Sequence, residues 1–173
     1  PIYTNTTYPF NPTDPDPPHI PHEWNPVGSY RTEFSVPEAW EGRQVFLHFE
    51  GVKSASYVWV NGEEVGYNQG GMEPAEYDVT SVIRPGENDI AVQVLRFSDG
   101  TYLEDQDMWR LSGIYRDVFL MATPRVHVRD FFVATDLDET FRDAELKVAA
   151  EVAHYGEGEA QGYRLRASLL SAE

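Results

Sequence analysis

The chain has no cysteine, so it holds no disulfide, no thiolate nucleophile and no thiolate metal site. That absence leaves its compartment undecided. Lysine is almost as scarce: Lys53 and Lys147 are the only two, and arginine supplies the rest of the 13 positive charges. Against 29 Asp and Glu, the formal net charge is −16. So negative a surface repels phosphate backbones and argues against nucleic-acid binding. The same balance fits a merely acidic soluble protein or one adapted to high salt, where ions screen self-repulsion. No apolar run approaches the roughly 20 residues of a membrane span, and no signal peptide is visible. A cytoplasmic location is therefore expected, with no membrane partner. There is no Gly-rich phosphate loop and no Ser/His/Asp constellation. His19, His22, His48, His127 and His154 lack metal-ligand spacing.

What the chain does have is apolar and aromatic material. Hydrophobic residues make up 41% of 173, including 4 Trp, 10 Tyr and 9 Phe, enough to build a core. The length suits one domain of good size plus part of another. Opening on Pro1-Ile2-Tyr3, the sequence reads as a segment of a longer polypeptide.

Residues 1–27 carry Pro9, Pro12, Pro15, Pro17, Pro18, Pro21 and Pro26, which break helices and ladders alike. This arm is expected to lie extended over something else. From Tyr30 the pattern turns to a period of two. Tyr30, Thr32, Phe34 and Val36 form one apolar face, and Val45, Leu47 and Phe49 another. Runs 55–60 and 64–67 flank Asn61-Gly62, a strong hairpin signal. Residues 77–83 leave room for one helical turn before Arg84-Pro85-Gly86-Glu87-Asn88. Runs 90–97 and 114–121 are the next strands. Short strands without a long helix predict an all-β fold, an antiparallel β-sandwich or jelly-roll over 28–122. Ala122-Thr123-Pro124 reads as a boundary. Beyond it, 125–134, 145–152 and 163–170 alternate, giving part of a second, immunoglobulin-like sandwich over 125–173.

The richest stretch runs from Ser98 to Val118. It sets Asp99, Glu104, Asp105 and Asp107 among Tyr102, Met108, Trp109 and Arg110. Carboxylates accept hydrogen bonds from hydroxyls, and flat rings cover the apolar face of a pyranose. A sugar site needs both. The alternative is a solvated acidic loop held down by Trp109, and the chemistry of the residues leaves both open. Trp109 is expected to anchor the loop, and Trp59 to lie in the core.

Three groups of residues carry a resemblance. They are Pro1-Ile2-Tyr3-Thr4-Asn5 with Thr7-Tyr8-Pro9, Asn61-Gly62 with Val65-Gly66-Tyr67, and Ser98-Asp99-Gly100 through the octet Leu103 to Arg110. Together they resemble the large β-galactosidases of glycoside hydrolase family 2 over nearly the whole chain.

The resemblance implies an N-terminal sugar-binding jelly-roll, the start of an immunoglobulin-like domain, and a downstream (β/α)8 barrel holding two catalytic glutamates. Those glutamates, about 5 Å apart in a retaining enzyme, are not in this chain. No catalytic residue is therefore assigned here, and the fragment alone is expected to be inactive. Asn5 matches an asparagine that contacts the galactosyl group. Asp107 matches an aspartate that contacts sugar and ligates sodium, with the remaining sodium ligands in the barrel. Magnesium is expected in the parent enzyme through ligands outside this chain. The implied partners are a β-galactoside, the barrel of the same polypeptide and further copies in a homo-oligomer. Taken without the resemblance, Asn5 is a turn former in a Pro-rich arm and Asp107 an ion-pair partner for Arg110 or Arg116. Asn5-Thr6-Thr7 also fits a glycosylation sequon, a short pattern with a high chance rate. The competing functions are a free-standing carbohydrate-binding module, a structural sandwich, and a fragment of a related β-glucuronidase or β-mannosidase. The run Asp105 to Trp109 argues for the galactosidase.

Overall fold

A computed structural model describes residues 8–11, 13–104 and 109–171. They divide into two compact units, residues 1–122 and 123–173. Strands dominate both. In chain order they are β1 (Val27–Val36), β2 (Gln44–Phe49), β3 (Val52–Lys53), β4 (Ala55–Val60), β5 (Glu63–Asn68) and β6 (Ala75–Asp78). They continue with β7 (Gly86–Leu95), β8 (Gly113–Ile114), β9 (Val118–Thr123), β10 (Val126–Leu137) and β11 (Ala144–His154). Among the described residues the helical pieces are two short 3-10 turns, Glu38–Trp40 and Asp99–Tyr102. The fold is all-β.

The first unit is a sandwich. One sheet has the order β1-β7-β4-β5, a second has β6-β2-β9, and β3 pairs with β8. Inward residues alternate as the period of two requires: Val45, Leu47 and Phe49 from β2 meet Val58 and Val60 from β4 and Ile90, Val92 and Val94 from β7. Val58 and Val60 are fully buried. Asn61 (φ 52°) and Gly62 (φ 84°) both take the left-handed backbone that a two-residue hairpin demands, and β4 and β5 flank them. The Asn61 amide then ties the hairpin to the next turn. Its Nδ2 donates to the Val82 carbonyl at 2.7 Å and to Asn88 Oδ1 at 2.8 Å.

Four expectations need correction. Trp59 is half-buried on the outer face of the first sheet, stacked on Tyr57 at 6.0 Å. Its position is odd where Val58 and Val60 are even, so the pleat turns it away from the core. Tyr30 is 43% exposed although it shares the parity of Val36. β1 is an edge strand, and this half of it borders an open apolar cavity of about 460 Å³ lined by Tyr30, Phe49, Ile90, Val92, Ile114 and Val118. Tyr77 lies in β6, opposite Leu47, and the expected helical turn is confined to Val79–Ile83, where Ile83 N donates to the Val79 carbonyl. Residues 163–170 form no strand. Leu169 and Leu170 are each 83% exposed. An alternating segment stays extended only where a neighbour satisfies its amides, and no described strand pairs with it.

The second unit is one long hairpin, β10 with β11, bulged between Val128 and Asp130. Asp138 organises its turn. The carboxylate accepts from Arg142 N at 2.8 Å, Asp143 N at 3.2 Å and the Thr140 hydroxyl at 2.5 Å. The Thr140 hydroxyl foremost, with these backbone amides, holds the Asp138 carboxyl below its ordinary range.

Candidate functional site

The acidic loop leaves the sandwich at the end of β7 and is stitched down at several points. Its first turn, Asp99–Tyr102, is closed by Ser98 and Thr101: Ser98 N donates to Thr101 Oγ1 at 3.1 Å, and Thr101 N to the Ser98 carbonyl at 3.0 Å. Ser54, between β3 and β4, brings its hydroxyl to 2.5 Å from Ser98 Oγ and 3.4 Å from Thr101 Oγ1. All three hydroxyls are buried, so each needs such a partner. On the outer side, Gln69 donates to the Asp99 carboxylate and accepts from the Tyr67 hydroxyl at 2.5 Å. Burial, with Tyr57 and Asp99 adding, pushes the Tyr67 phenol above its ordinary range.

At the far end of the turn, Glu104 N donates to the Gly100 carbonyl at 2.9 Å and Glu104 Oε1 accepts from Gly71 N at 2.8 Å. Lys53 Nζ donates to the Glu104 carbonyl at 3.5 Å. Tyr115 Oη donates to the Gly71 carbonyl at 2.6 Å, and Arg116 reaches the carbonyls of Glu50 and Met72 at 3.3 Å each. Beneath the loop, Lys53, Arg96 and Arg110 line one small pocket with Phe97 and Thr101. Lys53 and Arg110 are 6% and 8% exposed.

The proline-rich arm docks here. Phe10 is 5% exposed and packs edge-on to Phe97 at 5.0 Å and to Tyr102 at 5.3 Å. Tyr8 meets the Tyr102 ring at 5.0 Å, and Tyr102 Oη donates to the His19 carbonyl at 2.6 Å. Asn25 brackets the Phe97 backbone, donating to its carbonyl and accepting from its amide at 2.9 Å each. The arm is less extended than its prolines suggest. Turns close at Asn11–Asp14 and Asp16–His19.

Asn5 and Asp107, the two residues assigned to sugar, lie outside the described residues, as do the sequon residues Thr6 and Thr7. Tyr8, three positions after Asn5, and Glu104, three before Asp107, belong to the same stitched region. Trp109 is 58% exposed, so burial of its ring does not hold the loop. Tyr102 and Phe10 take that role. Sequence reasoning passed over Phe10, Ser54, Gly71 and Tyr115. Only Phe10 carried a signal, an aromatic among prolines. Among the described residues no group of three or more His, Asp or Glu side chains is placed to hold a metal ion.

Residues 1–124 match the sugar-binding domain of glycosyl hydrolases family 2. The chain belongs to that family. Over 173 residues it is 47% identical to a β-galactosidase of Priestia megaterium, covering 99% of this chain and 17% of the relative. A β-galactosidase of Alteromonas mediterranea is 50% identical over 152 residues, covering 88% of this chain and 14% of the relative. The chain thus spans about a sixth of the curated relatives it matches. Among solved structures, a β-glucuronidase of an uncultured Clostridium species superimposes with a TM-score of 0.65 at 29% identity, covering 73% of this chain and 24% of that one. A β-glycosidase of Bacteroides vulgatus gives 0.63 at 28%, covering 76% and 17%. These neighbours share the β-sandwich. No helix among the described residues is long and apolar enough to cross a membrane.

Proposed function

We propose that this chain is the sugar-binding N-terminal portion of a β-galactosidase, shaping the galactosyl pocket of a hydrolase whose bond-breaking groups lie elsewhere in a longer polypeptide. The observation that carries this reading is the docking of the arm on the acidic loop through Phe10, Tyr8 and Tyr102. It draws two segments about a hundred positions apart into one region, and each leads to a residue the family resemblance assigns to sugar. Identity of 47% and 50% to curated β-galactosidases favours galactose as the glycone.

In this reading Asn5 and Asp107 bind hydroxyls of the galactosyl group. A carboxylate accepts from two hydroxyls at once, and an amide both donates and accepts, which orients a pyranose. A retaining double displacement by two barrel glutamates then cleaves the β-galactoside, and this chain alone is inactive. The loop from Glu104 to Asp107 offers oxygen donors without His or Cys, a set that fits a hard monovalent cation. Asp107 would hold sodium together with ligands from the barrel, and the ion would supply positive charge beside the sugar hydroxyls. Magnesium in the parent enzyme is held by ligands outside this chain. Residues 125–173 are read as the opening of an immunoglobulin-like domain, and a cytoplasmic homo-oligomer is the expected assembly.

The test is Asp107→Ala in the full-length enzyme. The expected result is a loss of about 100-fold in kcat/KM, carried mainly by KM as for a hydroxyl contact made in ground and transition states alike, with the sodium response gone and the melting temperature kept. Wild-type rates with an unchanged sodium response would overturn the assignment.

A further inference from the structure

We propose that Glu104 is a positioning residue: its carboxylate, by gripping the Gly71 amide, fixes where the acidic segment leaves the sandwich. The inference rests on the reading of that segment as sugar-contacting.

The Gly71 peptide is held from both sides. Glu104 Oε1 accepts from its N–H at 2.8 Å, and Tyr115 Oη donates to its carbonyl at 2.6 Å. Glycine there leaves room for the Glu104 carboxylate, and its backbone is not in the left-handed region. A Cβ on Gly71 would stand 2.8 Å from Glu104 Oε2 and 3.1 Å from Lys53 Cγ. Oε2 itself is buried, with no hydrogen-bond partner among the described residues. Turning a carboxylate inward and leaving one oxygen unpaired is costly. The other 28 acidic residues show that this chain has no difficulty placing acids. Glu104 therefore has a reason to face Gly71, and the reason lies in its neighbours. The same residue closes the preceding turn through its amide and holds Lys53 through its carbonyl. The next residue, Asp105, begins the acidic run that ends at Asp107. One carboxylate thus helps to fix Glu104, the residue from which that run departs. A displacement of about 1 Å in such a segment is enough to lose up to 100-fold in a reaction.

Three variants in the full-length enzyme test this, each followed by two readouts: KM against kcat for an aryl β-galactoside, and hydrogen exchange of the peptides covering 99–110. Glu104→Ala removes the acceptor, and Gly71→Ala pushes it away. Each should raise KM about 10-fold or more, change kcat less, and speed exchange in 99–110. Glu104→Gln keeps an oxygen for the Gly71 amide and should stay near wild type in both readouts. Because the two alanine variants break one contact, the double variant should be no worse than the poorer single. Unchanged exchange and KM in Glu104→Ala would overturn the proposal. A lower melting temperature at unchanged KM would do the same, leaving Glu104 as ordinary support for the fold. The reading beneath it fails separately. In that case Asp107→Ala is silent, while exchange in 99–110 still answers to Glu104→Ala.

Discussion

Phe10 shows how much a single ring can do in an arm crowded with prolines. It is buried to 5% exposure between Phe97, two residues past β7, and Tyr102, on the acidic loop. Edge-to-face pairs of this kind add to the stability from burial alone. Prolines lower the entropy that the unbound arm must give up, and the ring supplies the contact that holds it. Phe10→Ala should lower stability by about 3 kcal/mol in a urea titration. It should also open the arm to limited proteolysis between Tyr8 and Pro26. An arm that resists cleavage in the variant would show that the Asn25 and His19 contacts suffice without the ring.

At the scale of elements, local chemistry was legible where two neighbours in sequence decide a structure. Asn61-Gly62 marked the hairpin, and the odd-even pattern of β2 marked Val45, Leu47 and Phe49 as core-facing but not the burial of Gln44 and Phe46 on the other side of this central strand. Where the outcome depends on distant neighbours, the same rules misled. Residues 163–170 alternate as a strand does but find no described partner, and Tyr30 has strand parity but lies beside an open cavity. The candidate site stands out in the sequence as a run of acids and aromatics. The groups that hold it, Ser54, Gly71 and Tyr115, are single residues whose meaning appears only when three loops meet. The turn between β10 and β11 yields its own prediction. The Asp138 carboxyl titrates below its unfolded value, so its contribution is present above the unfolded pKa and fades as pH falls through the folded one. A carboxyl-observed NMR titration should place Asp138 below the ordinary aspartate range. In Thr140→Ala the midpoint should move back up. A midpoint at the ordinary value in the wild type would mean the turn does not hold the carboxylate.

For the whole molecule, the central claim is a division of labour within one polypeptide. This chain supplies a sandwich, a docked arm and an acidic loop, and belongs to a family whose curated relatives are about six times its length. The described carboxylates of its loop, Asp99 and Glu104, accept from the Gln69 amide and the Gly71 backbone, and the cleavage of a glycosidic bond needs a pair of carboxyls on facing sides of the sugar. The most direct measurement compares the full-length protein with residues 1–173 alone, each assayed on aryl β-galactoside and aryl β-glucuronide. The full-length protein is expected to cleave the galactoside in preference to the glucuronide, and the isolated chain to cleave neither. Hydrolysis by the isolated chain, or a full-length enzyme that prefers the glucuronide, would contradict it.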